Sequence, residues 1–114
     1  MQDMAAPSRR HPRYAADLEV IIYRPGDASR ARISMISRGG CLIFPALLDT
    51  EASQLKMSFR LAEDLPYINC KAQVVYNIND RGTGVAFTEI SQYNQELITH
   101  YFERRLTAEK QPNS

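Results

Sequence analysis

The sequence has no long apolar run, and this absence excludes a membrane-spanning helix. Its longest nearly unbroken apolar stretch, Cys41 to Leu48, is interrupted by Pro45, whereas a spanning helix needs about 20 apolar residues. The segment from Met1 to Arg13 also lacks the apolar core of a secretory signal. We therefore expect a cytoplasmic protein that does not insert into a membrane.

Cysteine is scarce as well, since the chain contains only Cys41 and Cys70. Two cysteines are too few for a disulfide scaffold, and without an export signal both are expected to be reduced thiols. No C-x-x-C or H-x-x-x-H spacing indicates a metal site. The sequence therefore predicts neither a metal nor a cofactor.

Motifs of catalysis are also missing. No serine or cysteine lies in a G-x-S-x-G nucleophile motif, and His11 and His100 lie far apart in the sequence. The glycine-containing segments 37–40 and 81–84 lack the G-x-x-x-x-G-K-[ST] phosphate loop. The adjacent acids Glu63 and Asp64 are better explained by a solvated loop than by acid–base chemistry. We predict that the protein is not an enzyme.

What the chain does contain is one domain of ordinary globular composition. It has 114 residues, of which 44% are hydrophobic and 24% charged, and single domains most often run to roughly 100–150 residues. Residues 1–8 show no periodicity, and residues 108–114 are polar. We predict a flexible leader over 1–8, a folded domain over 9–107 and a flexible tail over 108–114, in a monomer or a weak dimer.

The net charge of +1 conceals an asymmetry between the two parts of the chain. Residues 1–40 carry seven arginines and four acidic residues, a net charge of +3, whereas residues 41–114 carry seven basic and nine acidic residues, a net charge of −2. Arginine presents a planar fork of donors that suits phosphate and the guanine edge. The pattern fits a local anion site, and it also fits a solvated basic N-terminal segment.

Apolar and polar residues alternate with a period of two over most of the chain, which predicts β-strands. In this pattern Met35 continues the apolar series of Ala31 and Ile33, and Tyr76 continues a second series that includes Val74. The predicted strands lie within segments 16–23, 30–35, 41–44, 55–61, 68–77 and 83–89.

The period changes to that of a helix after Ile90. The helix is predicted from Ser91, a good N-cap residue, to Leu106. Its apolar positions follow helical spacing and are Leu97, Ile98, Tyr101 and Phe102. Six strands and one helix predict an all-β fold with a C-terminal helix, in which a six-stranded antiparallel β-barrel is covered by the helix at an open end or a side.

Two segments are candidates for binding. In the first, Arg9 to Arg13, Pro12 disfavours helix at the preceding residue, so three guanidinium groups lie on an extended segment before the first strand. In the second, from Ile36 to Cys41, two glycines interrupt a strand and expose backbone groups and the hydroxyl of Ser37. A solvated arm and a β-bulge explain the two segments equally well when each is taken alone.

Together these segments resemble a known family. R-x-x-x-R at Arg9 to Arg13, [DN]-x-S-x-x-G aligned with residues 35–40, and G-x-G-V-x-F at residues 82–87 are marks of the PilZ domain. The resemblance covers about Arg9 to Leu106. It implies a PilZ-like six-stranded barrel that acts as a bacterial receptor for the second messenger cyclic di-GMP.

The resemblance also implies a ligand site and a way of signalling. Arginines of the flexible arm would hold phosphate or guanine, Ser37 would hydrogen-bond the ligand, and Gly40 would let it approach the backbone. Ligand binding would order the arm and create a new surface for a separate, unidentified effector protein. A nucleic-acid polymer is not expected as a partner. The implied site residues are Arg9, Arg10, Arg13, Met35, Ser37, Gly39 and Gly40.

Met35 departs from the family pattern, which has Asp or Asn at that position. A thioether is a weak acceptor for the guanine N1 and N2 donors, and losing one such contact costs roughly 1–3 kcal/mol. If Met35 instead faces the barrel interior, it is a core residue. The sequence therefore leaves two hypotheses, a cyclic di-GMP receptor and an adaptor of the same fold that does not bind the ligand.

Overall fold

Six strands and one helix make up the fold in a computed structural model, which describes residues 12–47 and 49–110. The predicted class, all-β with a C-terminal helix, is confirmed. The leader over residues 1–8 and the last residues of the predicted tail lie outside the described residues. The elements are β1 Tyr14–Arg24, β2 Asp27–Ser37, β3 Gly40–Phe44, β4 Gln54–Phe59, β5 Ile68–Ile78, β6 Gly82–Glu89 and α1 Gln92–Lys110.

The strands close into a barrel in the order β1-β2-β3-β6-β5-β4. Every pairing is antiparallel, and the closing pair joins residues 20–23 of β1 to residues 56–59 of β4. The β1–β2 turn depends on Gly26, whose φ of 73° favours glycine. The predicted six-stranded antiparallel barrel is therefore confirmed.

A β-bulge in β2 changes which side chains face outward. Ile33 pairs with Ile43 and Met35 pairs with Leu42, so Ser34 is an extra residue without a partner on β3. Ile33 is fully buried, whereas Met35 is 37% exposed. The alternation that placed Met35 on the same face as Ile33 is wrong at Met35, because an extra residue reverses the alternation beyond it.

A second bulge has the same effect in β5. Val74 pairs with Val85 and Tyr76 pairs with Gly84, which leaves Val75 as the extra residue. Val74 is buried, but Tyr76 is 41% exposed. Tyr76 therefore belongs to the outer face of the barrel, not to the inward series that its spacing predicted.

The interior of the barrel is filled with apolar side chains from all six strands. Its largest fully buried members are Phe59, Ile22, Ile33, Ile36, Ile43, Met57 and Ile68. Cys41 and Cys70 are also buried there as free thiols, and burial raises the pKa of Cys41 and raises that of Cys70 to about 12. Both thiols therefore stay protonated at neutral pH, and the filled interior leaves ligand binding to the outside of the barrel.

The helix α1 packs one side against the barrel. Ile98 and Phe102 are buried, whereas Leu97 and Tyr101 are half-buried. The N-cap prediction is confirmed, since the Asn94 N–H donates to the Ser91 hydroxyl at 3.0 Å. The helix continues to Lys110, four residues past its predicted end, and so includes the first three residues of the predicted tail. None of the described helices is both long and apolar enough to cross a membrane.

Candidate functional site

The strand register brings the two binding segments of the sequence together. Tyr14, the first residue of β1, pairs with Ile36 of β2. Arg13 directly precedes Tyr14 and Ser37 directly follows Ile36, so Arg13 and Ser37 are neighbours at the same end of this strand pair. Tyr14 and Ile36 are buried, and because side chains alternate along a strand, Arg13 and Ser37 belong to the outer face. Arg9 and Arg10 lie outside the described residues.

Met35 lies on the same outer face, one row further along the strands. It pairs with Ala15 of β1 on one side and with Leu42 of β3 on the other. Leu42 in turn pairs with Gly84, and Gly84 with Tyr76. This row of Ala15, Met35, Leu42, Gly84 and Tyr76 forms an apolar surface beside Ser37, and we call it the apolar row.

Glycine at position 84 allows the ring of Tyr76 to lie flat on the barrel. A β-carbon at Gly84 would overlap the Cε2 and Cζ atoms of that ring. The ring therefore covers the backbone of β6 at Gly84, and Tyr76 as a whole is 41% exposed. Sequence reasoning missed Tyr76 as a site residue, because the bulge at Val75 that turns it outward leaves no mark in the alternation.

The turn between β2 and β3 is fixed by local contacts. The Ser37 hydroxyl accepts a hydrogen bond from the Gly39 N–H at 3.1 Å, and the Gly39 carbonyl accepts one from the Phe87 N–H at 2.9 Å. A β-carbon at Gly40 would overlap the Val85 carbonyl oxygen, so glycine is needed there for β3 to pack against β6. Gly39 and Gly40 therefore shape the turn whether or not a ligand is bound.

Two arginines near this end of the barrel form no ion pair with a described residue. Three arginines of the basic N-terminal part pair with carboxylates, namely Arg24 with Asp49, Arg30 with Glu19 and Arg32 with Asp17. The carboxylate of Asp49 raises the pKa of Arg24. Within the described ranges, neither Arg13 nor Arg38 forms an ion pair. Arg13 and Arg38 are the neighbours of Ser37 in the strand register and in the sequence, so an anion would be attracted here.

The helix α1 contacts both segments of the candidate site. The Gln95 side-chain amide donates to the Arg38 carbonyl at 2.8 Å, which attaches the helix to the β2–β3 turn. Tyr14 stacks on Phe102 with ring centroids 5.2 Å apart, and its hydroxyl donates to Glu103 at 3.0 Å. Burial and the Glu103 carboxylate raise the pKa of Tyr14. Sequence reasoning missed Gln95, which is polar and carries no motif.

A cleft of about 460 Å³ lies between the start of β1 and the second half of α1. Its walls include Arg13 and Leu61 on the barrel side and Tyr101 and Arg105 on the helix side. Clefts of this size commonly accommodate small ligands. Arg13 therefore lines this cleft and is also the neighbour of Ser37 on the outer face.

These features define a small barrel with a filled interior and an arginine-bearing segment next to a serine–glycine turn on its outer face. The family model of the PilZ domain matches residues 7–104, and the chain belongs to the PilZ domain family. The family prediction made from the three motifs is therefore confirmed.

Comparison with solved structures agrees with this assignment. The Bacillus subtilis inhibitor of motility, MotI/DgrA, is similar with a TM-score of 0.80 and 25% sequence identity, over 90% of this chain and 53% of that one. This chain thus spans about half the length of MotI/DgrA. The PilZ domain of CeSA from a cellulose-synthesizing bacterium shares the fold, with a TM-score of 0.55 and 17% identity over 75% of this chain and 88% of that one. No match was found among the curated proteins.

Proposed function

We propose that this protein is a receptor for cyclic di-GMP that binds its ligand on the outer face at the β1–β2 end of the barrel. The observation that carries the proposal is the register of β1 and β2, which makes Arg13 a neighbour of Ser37. The last arginine of the R-x-x-x-R motif thus lies beside the serine and glycines of the second motif. The protein itself catalyses nothing, and its output is a change of surface.

The charges near this end support an anionic ligand. Cyclic di-GMP carries two phosphates and two guanines, and Arg13 and Arg38 have no carboxylate partner among residues 12–47 and 49–110. Arginine binds phosphate and the O6 and N7 atoms of guanine in a bidentate way. Arg9 and Arg10 would add two more guanidinium groups when the arm folds over the ligand.

The contacts of α1 support a route from the ligand to a separate effector protein. Gln95 attaches the helix to the turn at Arg38, and Phe102 attaches it to Tyr14 beside the arm. A ligand that orders the arm and contacts the turn therefore alters the surroundings of the helix. MotI/DgrA is named as an inhibitor of motility, and we propose that this chain likewise acts on another protein.

Calorimetric titration with cyclic di-GMP, with GTP as the control ligand, tests the proposal. We expect the protein to bind cyclic di-GMP and not GTP. We also expect Arg13→Ala to weaken binding of cyclic di-GMP about ten- to hundredfold, because a charge-assisted contact is lost. Arg81→Ala is the matched control, since Arg81 is exposed in the β5–β6 turn and forms no ion pair with a described residue. No heat of binding at high ligand concentration would refute the receptor function.

Amide exchange tests the role of the arm separately. Residues 5–14 should exchange rapidly without ligand and become protected at saturating cyclic di-GMP, because folding over the ligand orders the backbone. Equal exchange in both states would show that the arm does not fold over the ligand.

The second candidate function is an adaptor that binds protein partners without cyclic di-GMP. The observation in its favour is Met35, an exposed thioether where the family pattern has a carboxylate or an amide. If the protein is such an adaptor, Arg13→Ala should leave its binding to the partner protein unchanged. If it is a receptor, cyclic di-GMP should no longer affect binding of the partner protein to Arg13→Ala.

A further inference from the structure

The start of β1 belongs both to the outer face of the barrel and to the cleft beside α1. β1 has a bulge between Ala15 and Leu18, and all four residues of this segment line the cleft of about 460 Å³. Bulges bend a strand and often lie next to binding sites, and Ala15 and Ala16 in this bulge have small side chains. Ala15 also pairs with Met35 on the outer face. The cleft and the candidate site are therefore continuous along this part of β1.

Each side of the cleft carries an arginine. Arg13 lines the cleft from the barrel and Arg105 lines it from the helix, and Leu61 is one of its apolar residues. Among the described residues that line it, the one carboxylate belongs to Asp17, which pairs with Arg32. A guanine has apolar ring faces and two acceptors, O6 and N7, on one edge, which a guanidinium group binds in a bidentate way. An apolar cleft with an arginine on each side therefore suits a guanine that carries a phosphate.

The guanidinium group of Arg105 is positioned at the cleft by Tyr101. It donates a hydrogen bond to the Tyr101 hydroxyl at 3.1 Å, and its Cζ atom lies 5.6 Å from the centroid of the same ring. The Tyr101 ring in turn meets the buried Phe102 ring edge to face, with centroids 5.0 Å apart. A side chain that is held in this way loses less conformational freedom when it binds a ligand. Arg105 is therefore prepared for binding before a ligand arrives.

We infer that cyclic di-GMP lies across Arg13, with one guanine in the cleft, and that Arg105 of α1 binds this guanine. The inference rests on the proposed function and adds the helix to the ligand site itself. Arg105 donates to O6 and N7 of the guanine in the cleft, while the rest of the ligand reaches Ser37 on the outer face. The ligand thus joins α1 to the barrel through a direct contact, in addition to the contacts that the helix makes with the β2–β3 turn.

Titration of cyclic di-GMP into two adjacent arginine variants gives the first measurement. Arg105→Ala should weaken binding about ten- to hundredfold, because a bidentate contact with the base is lost. Arg104→Ala is the matched control, since Arg104 is exposed on the same helix and does not line the cleft. It removes the same charge and should change the dissociation constant less than about threefold, because an exposed charge is screened by salt.

The outcomes separate this inference from the proposed function. If the wild type binds cyclic di-GMP and Arg105→Ala binds it equally well, the inference is wrong and the receptor function stands. An equal loss in Arg104→Ala would mean that the helix attracts the ligand only through its overall charge, which also overturns the inference. If the wild type does not bind cyclic di-GMP, both are wrong. Both arginines are exposed, so the variants should keep the melting temperature of the wild type.

A double-mutant cycle tests the positioning of Arg105 by Tyr101. Tyr101→Phe keeps the ring and removes the hydroxyl that accepts from Arg105, so it should weaken binding in the wild-type background. In the Arg105→Ala background the same change should have no further effect, because the hydroxyl acts through the missing guanidinium group. An equal further loss would show that Tyr101 does not act through Arg105.

Arginine side-chain NMR locates the ligand without any substitution. At saturating cyclic di-GMP, the Nε–Hε signals of Arg13 and Arg105 should shift, and the signal of Arg104 should stay in place. A shift of the Arg13 signal without a shift of the Arg105 signal would confine the ligand to the outer face and overturn the inference.

Discussion

The inner and outer faces of the barrel wall place different demands on the same strands. In β2, Ile33 and Ile36 face inward and are almost completely buried, whereas Met35 between them is 37% exposed. The inner face contributes to the stability of the fold, and the outer face carries the candidate site. Residues at the site can therefore change without loss of the fold. Four predictions test this difference between the two faces.

The largest expected effect separates two phenylalanines on opposite faces. Phe59 is fully buried and Phe44 is 48% exposed. Phe59→Ala should lower the free energy of unfolding by about 3–5 kcal/mol because it leaves a cavity, while Phe44→Ala should change it by about 0.5 kcal/mol or less. Urea denaturation of both variants measures the difference. Equal losses of stability in the two variants would show that the inner face does not stabilise the fold more than the outer face does.

The next prediction extends the comparison to the helix. Ile98 of α1 is fully buried and Leu97 is half-buried. Ile98→Ala should cost about 2–5 kcal/mol, and Leu97→Ala roughly half of that because less of its surface leaves water. A loss below about 0.5 kcal/mol for Ile98→Ala, the range of an ordinary surface change, would mean that α1 does not pack on the barrel in solution.

A smaller effect is expected at the exposed start of the helix. The Ser91 hydroxyl caps α1 by accepting from the Asn94 N–H, and Ser91→Ala should cost about 1 kcal/mol. Ser91→Asp is the matched control, because its carboxylate can accept the same hydrogen bond. Thermal unfolding should rank the alanine variant below both the wild type and the aspartate variant.

The smallest effect depends on pH and concerns Tyr14, a buried residue at the start of β1. Burial and Glu103 raise its pKa above 10.0 in the folded state. The folded protein therefore binds the hydroxyl proton of Tyr14 more tightly than the unfolded chain does. The stability gained from this difference is complete below about pH 10 and is lost as the pH rises through the folded pKa. The melting temperatures of the wild type and Tyr14→Phe should converge above about pH 10. A difference between them that stays constant with pH would contradict this prediction.

The sequence was sufficient to predict the strands, the helix and the closed barrel, because alternation and helical spacing are local properties. It was not sufficient to predict the face of Met35. Ile33, Met35 and Ile36 are all apolar, so both phases of alternation satisfy the pattern, and only pairing with β1 and β3 decides between them. The same holds for Val74, Val75 and Tyr76 in β5.

Prediction of the site depended on motifs more than on periodicity. The adjacency of Arg13 and Ser37 follows from a register that joins residues 24 positions apart, which no local pattern contains. The bond from Gln95 to the Arg38 carbonyl spans 57 positions and involves the backbone of one partner. Contacts of this kind depend on the folded chain path, so the role of the helix at the site emerged only from the structure.

The attachment of α1 to Tyr14 and to the β2–β3 turn has a thermodynamic consequence. If an effector binds the helix and changes these contacts, it changes the ligand affinity of the site by some factor, and the ligand then changes the affinity for the effector by the same factor. Measuring the ligand affinity with and without an effector therefore also measures the strength of the signal. An effector that leaves the contacts of Gln95 and Phe102 unchanged will be insensitive to the ligand through this route.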